Sequence, residues 1–469
     1  MRRPLLFTLT LMSGALAATA SAQPLTLTVE TGQILRRDAD RVVGVNLNYL
    51  RDSDANRPQA RPLNAALKDM GVRWLRYPGG EKSDFHLWSL PPYDKSHPVS
   101  LGYYATVPGA RLDFDRYVAA CRAVGAEPYV VVGYTTEKAA GRTKAQWLES
   151  ATSWVRYANV RRKYGVRSWE IGNENWNSGK GTPEELAGIV TEFSHAMKAV
   201  DPTIQIGASG NGAGWWAKFL PLASPSLDFI SLSLYNCWGW KGYDHFVQHP
   251  DEDTIGDVRA ALAAIDHDAQ PADRARLGVI VAETNSKDYT EGGWPGTNTL
   301  GHALVTFDTL GRVLSQPRVR SIMVWTTRWV NDGEAKDSQW YALGPSNELR
   351  PTGRAVALWG QFLQPDLIAV SGGSGAVSAY AARSPDGRKV TVWVLNRGYA
   401  PVNGLRVVVH AASTHYRSTA IYRLSGTGPE DSEPTWGRVG SAAVVGNSVA
   451  PLSCPGLSVT VLTVFSESP

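Results

Sequence analysis

The chain has 469 residues, 43% of them hydrophobic and 19% charged, with a formal net charge of +4. That is ordinary globular material, long enough for one barrel of roughly 250 to 330 residues plus a smaller domain. The charges nearly balance and the basic residues are scattered, which gives a nucleic-acid partner no support. Three cysteines, Cys121, Cys237 and Cys454, have neither metal nor redox spacing, and their odd number argues against a disulfide framework.

Residues 1–22 read as a signal peptide. Arg2 and Arg3 form a basic start, Leu5 to Ala17 an apolar run too short to span a bilayer, and Ala20-Ser21-Ala22 a small-residue cleavage site. The expectation is a secreted or periplasmic protein with no membrane attachment after cleavage. Residues 23–40 follow, and the alternating stretch Leu25–Glu30 is expected to add a strand to a β-domain further along.

Residues 41–364 alternate short apolar runs with amphipathic helical patterns. Eight runs read as strands: Val42–Tyr49, Arg73–Tyr77, Pro128–Tyr134, Ser168–Gly172, Ile204–Ala208, Leu227–Leu234, Leu277–Ala282 and Val319–Trp325. Most are continuously apolar, as strands buried on both faces are. Between them, Thr143-x-x-Gln146 and Thr182-Pro183-Glu184-Glu185 carry the residues of capping boxes. Eight strand-then-helix units without a Gly-rich phosphate loop after the first strand predict a (β/α)8 barrel. From about Pro365 to 469 the runs alternate and turn residues separate them, as in Lys389–Leu395, Leu405–Val409, Ala420–Leu424 and Leu457–Phe465. That pattern predicts an antiparallel β-sandwich.

Active sites of such barrels lie at the carboxyl ends of the strands. The fourth strand ends Trp169-Glu170-Ile171-Gly172-Asn173-Glu174-Asn175-Trp176, and the seventh ends Val281-Ala282-Glu283-Thr284-Asn285. One Glu at a strand end is ordinarily a surface residue paired with a loop cation. Two of them, flanked by Asn and Trp, suit glycosidic bond cleavage by paired carboxylates. Two-residue alternation from Glu174 turns Glu170 into the barrel or its wall, where an ion pair is expected.

Trp176, Trp215, Trp216, Trp238, Trp240, Trp294, Trp325 and Trp329 all fall past predicted strand ends, and a Trp-lined cleft suits the apolar faces of sugars. Trp325 is read as a floor under the sugar. Trp238 and Trp240 are read as further subsites or loop packing, and Arg328 as a ligand for a sugar hydroxyl or as an ion pair. No His-Glu-x-x-His spacing and no serine nucleophile elbow occur, so neither metal nor cofactor is expected in the chemistry.

The Trp-Glu-Ile-Gly-Asn-Glu segment with a second Glu ending strand seven resembles clan A glycoside hydrolases. Leu75-Arg76-Tyr77-Pro78-Gly79-Gly80 resembles the matching segment of family 51 α-L-arabinofuranosidases, as does a barrel followed by a β-sandwich. The resemblance implies a retaining hydrolase with Glu174 as acid/base and Glu283 as nucleophile. It further implies that Asn173 binds the sugar 2-hydroxyl, that Arg76 lies near Glu283 and keeps it ionised, and that Tyr235 donates its hydroxyl to Glu283. Two positions depart from the family pattern: Ser233 stands where the clan often has His, and Glu81 where family 51 has a small polar residue. The substrate expected is a carbohydrate. An arabinofuranosidase-like reading stands beside an endo-glycanase or β-glycosidase of xylan or glucan type, and beside a non-catalytic carbohydrate-binding protein.

Overall fold

The computed structural model describes residues 25–134, 142–177, 180–235, 237–287, 294, 298–329 and 341–466. The candidate signal peptide lies outside the described residues.

Eight parallel strands close into a barrel. In chain order they are Val43–Asn46, Trp74–Tyr77, Glu127–Val132, Ser168–Ile171, Gln205–Ser209, Phe229–Tyr235, Gly278–Asn285 and Val319–Val324. Each of the eight apolar runs supplies one of them, in register with its sequence neighbours. The last strand returns to pair with the first, Ile322 opposite Val43. Both capping boxes form: Thr143 caps Lys144–Val155 with Gln146, and Thr182 caps Pro183–Val200 with Glu185. Inside the barrel Tyr129, Phe229, Ile280, Ala282 and Met323 make a separate apolar plug, the filled interior expected of this fold.

Of the remaining strands, His86–Leu87 and Val99–Ser100 pair as a two-stranded ribbon, and the other ten form one sheet. Its spatial order is Thr435–Gly440, Ser418–Ser425, Ser458–Phe465, Lys389–Asn396, Val377–Arg383, Asp366–Ser371, Thr26–Arg36, Val402–His410, Ser448–Cys454 and Val444–Val445. All pairings are antiparallel except that of Thr26–Arg36 with Val402–His410. The sheet curls so that Leu27, Val29, Val392, Val407, Leu452 and Leu462, from both of its halves, share one core. Thr26–Arg36 is thus an interior strand, and its alternating Leu27 and Val29 point inward.

Barrel and sheet are fused through apolar packing. The helix Leu300–Leu314 is buried at every residue but Arg312. Trp359, on the helix Pro351–Gly360, stacks on Phe307 and packs at a tilt on Trp393 of the sheet, with centroids 4.9 and 4.6 Å apart. Arg397 of the sheet meets Asp308 of the buried helix at 3.3 Å. The three cysteines are buried and free.

Candidate active site

The site is built at the carboxyl ends of the second, fourth, sixth and seventh barrel strands. Glu283 lies within the seventh strand, opposite Ser233 of the sixth. The strand carries a bulge between Val281 and Glu283. Ile280 and Ala282 already face the barrel interior, so strict alternation would turn Glu283 away. The extra residue re-aims the next side chain toward the interior, a common use of bulges beside active sites.

Arg76, on the second strand, organises the cluster. Its Nη1 donates to Glu283 Oε1 at 2.8 Å, its Nη2 to Asn173 Oδ1 at 2.8 Å and to Glu170 Oε2 at 2.8 Å. Asn46 Oδ1 accepts from the same guanidinium at 3.1 Å. Burial opposes the Arg76 charge, but Glu170 and Glu283 together outweigh it and hold the guanidinium protonated more firmly than usual. Glu170 also accepts from Ser231, so it is consumed by structural partners inside the barrel. With its oxygen held by Arg76, the Asn173 amide presents its NH2 edge elsewhere, the edge a sugar hydroxyl requires.

Tyr235 donates its hydroxyl to Glu283 Oε2 at 2.9 Å. Both oxygens of Glu283 are therefore hydrogen-bonded, and its side chain is buried (5% exposed). Burial, followed by the charge of Glu174, pushes the Glu283 carboxyl up to about 7 against the lowering by Arg76 and Tyr235. Arg76 lies beside Glu283 and lowers its carboxyl as expected, but desolvation is the larger effect. Glu174 is half-buried, and its Oε1 accepts from Ser233 Oγ at 2.8 Å. The serine flagged only as a departure from the clan pattern is a direct partner of the second carboxylate.

The loop carrying Glu174 is pinned on several sides. Glu174 has a left-handed backbone, φ 45°, following Gly172 at φ 74°. A Cβ on Gly172 would lie 2.1 Å from Asn175 Oδ1 and 2.2 Å from Tyr134, so only glycine fits. Asn175 Nδ2 donates to Ile171 O at 2.8 Å, and its backbone N–H to Ser209 Oγ at 2.9 Å. Lys180 donates to the carbonyl of Asn173 and pairs with Asp84 at 2.7 Å. Sequence reasoning missed Lys180 and Asp84, since nothing local marks two residues that meet across loops.

Trp325 closes the base, buried against Gly80. A Cβ on Gly80 (φ 54°) would sit 2.0 Å from the Trp325 ring and 3.1 Å from Glu283 Oε1. Trp176 is half-buried beside Glu174, and Trp238 past the sixth strand is 58% exposed. The other tryptophans divide differently from the expectation: Trp216, Trp240 and Trp294 are buried, Trp240 against His245 and Trp294 stacked on His302. Arg328 is a correction as well. It is 1% exposed, and its guanidinium pairs with Asp52 at 2.6 Å and donates to Asn347, which leaves it a structural ion pair. Glu81 is exposed and accepts from Tyr104 Oη at 3.3 Å. Among the described residues no three His, Cys, Asp or Glu side chains converge as metal ligands would.

No family model matches the chain. Sequence relatives share the resemblance read from the motifs. An intracellular exo-α-(1→5)-L-arabinofuranosidase of Streptomyces lividans is 27% identical over 190 residues, covering 36% of this chain and 28% of that protein. Its namesake from Acetivibrio thermocellus is 26% identical over 240 residues, 47% of this chain and 46% of that one. An intracellular exo-α-L-arabinofuranosidase of Bacteroides ovatus is 28% identical over 200 residues, 38% of this chain and 37% of that one. The chain thus matches less than half the length of each. Among solved structures, an α-L-arabinofuranosidase from Thermotoga maritima superposes with TM-score 0.72 at 19% identity, covering 94% of this chain and all of that one. A family 44 xyloglucanase from Paenibacillus polymyxa superposes at 0.67 and 12% identity, covering 95% and 100%. The fold is that of barrel-plus-β-domain glycoside hydrolases. The expectation of a secreted or periplasmic protein does not stand, because the three sequence relatives are named as intracellular enzymes.

Proposed function

We propose that this chain is a retaining glycoside hydrolase acting on α-L-arabinofuranosides, with Glu283 as nucleophile and Glu174 as acid/base. The observation that carries the reading is the division of partners between the two glutamates. Arg76 and Tyr235 both donate to Glu283, and donors favour the ionised form. Ser233 donates to Glu174 at the end of the sixth strand. Glu283, held on both oxygens, is placed to attack, and Glu174 is the carboxyl that must give up a proton to the departing oxygen.

In the first step Glu283 attacks the anomeric carbon while Glu174 protonates the departing oxygen. The glycosidic C–O bond breaks and a glycosyl ester forms on Glu283. In the second step Glu174, now ionised, takes a proton from water. The water oxygen attacks the same carbon and Glu283 leaves as carboxylate. Asn173, its oxygen tied to Arg76, directs its NH2 at the sugar 2-hydroxyl, a bond that tightens as charge develops on the ring.

The likeness to arabinofuranosidases in both sequence and fold supports the sugar. The exposed Trp238 favours a second reading, an endo-acting glycanase with a stacking subsite at that rim. Aryl L-arabinofuranosides and polysaccharides assayed side by side separate the two. Replacing Glu283 by Ala should lower turnover by about 10³-fold or more, and added azide should restore cleavage as the glycosyl azide. Full activity in Glu283→Ala would defeat the assignment.

A further inference from the structure

Lys82 takes no part in the steps above. It follows Gly80 by two residues, and its side chain is fully buried (0% exposed). Its Nζ lies 4.6 Å from the ring centroid of Trp325 and 4.2 Å from that of Trp329. Among the described residues no hydrogen-bond acceptor reaches it. The other deeply placed lysines differ: Lys180 meets Asp84 at 2.7 Å, and Lys287 donates to the carbonyl of Trp294 at 2.7 Å. Two indole faces return part of what an ammonium loses on leaving water, but not all of it. What remains to favour the charge is the field of nearby carboxylates.

The charged groups facing Lys82 come from four places. Glu283 on the seventh strand attracts it most, then Glu81 on its own loop and Asp52 on the loop after the first strand, while Arg76 on the second strand repels it. Asp52 is already paired with Arg328, and Glu81 is exposed to solvent. Glu283, itself paired with Arg76, is the buried carboxylate that attracts Lys82 most. Trp325, one wall of the cage, and Glu283 flank the same backbone position: a Cβ on Gly80 would lie 2.0 Å from the Trp325 ring and 3.1 Å from Glu283 Oε1.

We infer that Lys82 is a positioning residue for the nucleophile: an ammonium caged by Trp325 and Trp329 that holds Glu283 in its charged form through space, leaving both carboxylate oxygens to Arg76 and Tyr235. This rests on the reading of Glu283 as nucleophile. Burial brings the Lys82 ammonium down to about 7, the range in which Glu283 titrates. The cation thus appears as pH falls, where Glu283 begins to take up its proton, and the two charges delay each other's loss.

The test is a carbon-13 NMR titration of protein labelled at the glutamate carboxyls, over roughly pH 4 to 9. The Glu283 signal is identified by its disappearance in Glu283→Gln. In Lys82→Met, whose side chain matches the cage in length, the Glu283 midpoint should rise by about one pH unit. Lys82→Arg should keep it near the wild-type value. The acid limb of kcat/KM on an aryl glycoside should move with the midpoint. An unchanged or lowered midpoint in folded Lys82→Met overturns the inference. Lys82→Gln, read the same way, serves if the Met variant does not fold. The titration needs no turnover, so a wild-type chain inactive on every glycoside would defeat the functional reading and leave this one to be judged on the midpoint.

Discussion

At the residue scale, Glu283 must be ionised to attack and yet sits where ionisation is disfavoured. Its carboxyl is pushed up to about 7 by burial and then by Glu174. Between the ordinary carboxylate value and about 7 the folded chain binds a proton that the unfolded chain has lost. Stability from this group is therefore present at low pH, declines as pH rises through that window, and is fully lost above it. Glu283→Gln mimics the protonated form. It should be more stable than wild type at pH 8 by about 2 kcal/mol, with the advantage shrinking toward pH 5. Denaturant melts at the two pH values check this, and an advantage that grows toward pH 5 would contradict the account. The same strand explains part of what sequence could and could not supply. Glu283 was legible because a charged residue ends an apolar run. The bulge that aims it was not, since a bulge is a property of pairing with the sixth strand.

At the scale of elements, the barrel strands were legible because strands buried on both faces must be continuously apolar, and the two capped helices because their caps are local hydrogen bonds. Contacts between loops were not. Arg328 and Asp52 lie far apart in sequence, and so do Lys180 and Asp84. An aromatic residue past a strand end also reads the same whether a neighbouring element covers it, as for Trp216 and Trp294, or leaves it open, as for Trp238. The Lys180–Asp84 pair clamps the loop of the fourth strand to that of the second, and it holds the carbonyl just before Glu174. Lys180→Met should lower kcat by roughly 10- to 100-fold with a smaller change in KM, because a catalytic group displaced by a fraction of an ångström loses rate before it loses affinity. Asp84→Asn should cause a similar fall, and the double variant little more than either alone. Additive losses would mean the two residues act separately.

For the whole molecule, the β-sheet and the barrel share a core. Trp359, Phe307 and the buried helix Leu300–Leu314 have sheet residues as their outer cover. A chain ended at Gln364 would expose that surface, and it should be insoluble or form large aggregates on size exclusion; a soluble, active barrel alone would count against this. The interior position of Thr26–Arg36 has a further consequence, in the order of synthesis. Its neighbours Asp366–Ser371 and Val402–His410 are made hundreds of residues later. At ribosomal speeds that interval is on the order of tens of seconds. Throughout it, a strand built to be paired on both edges has no partner and presents an open template for other chains. Completion of the barrel is therefore not the last step of folding. The nascent polypeptide must keep its earliest strand out of wrong pairings until its latest ones emerge.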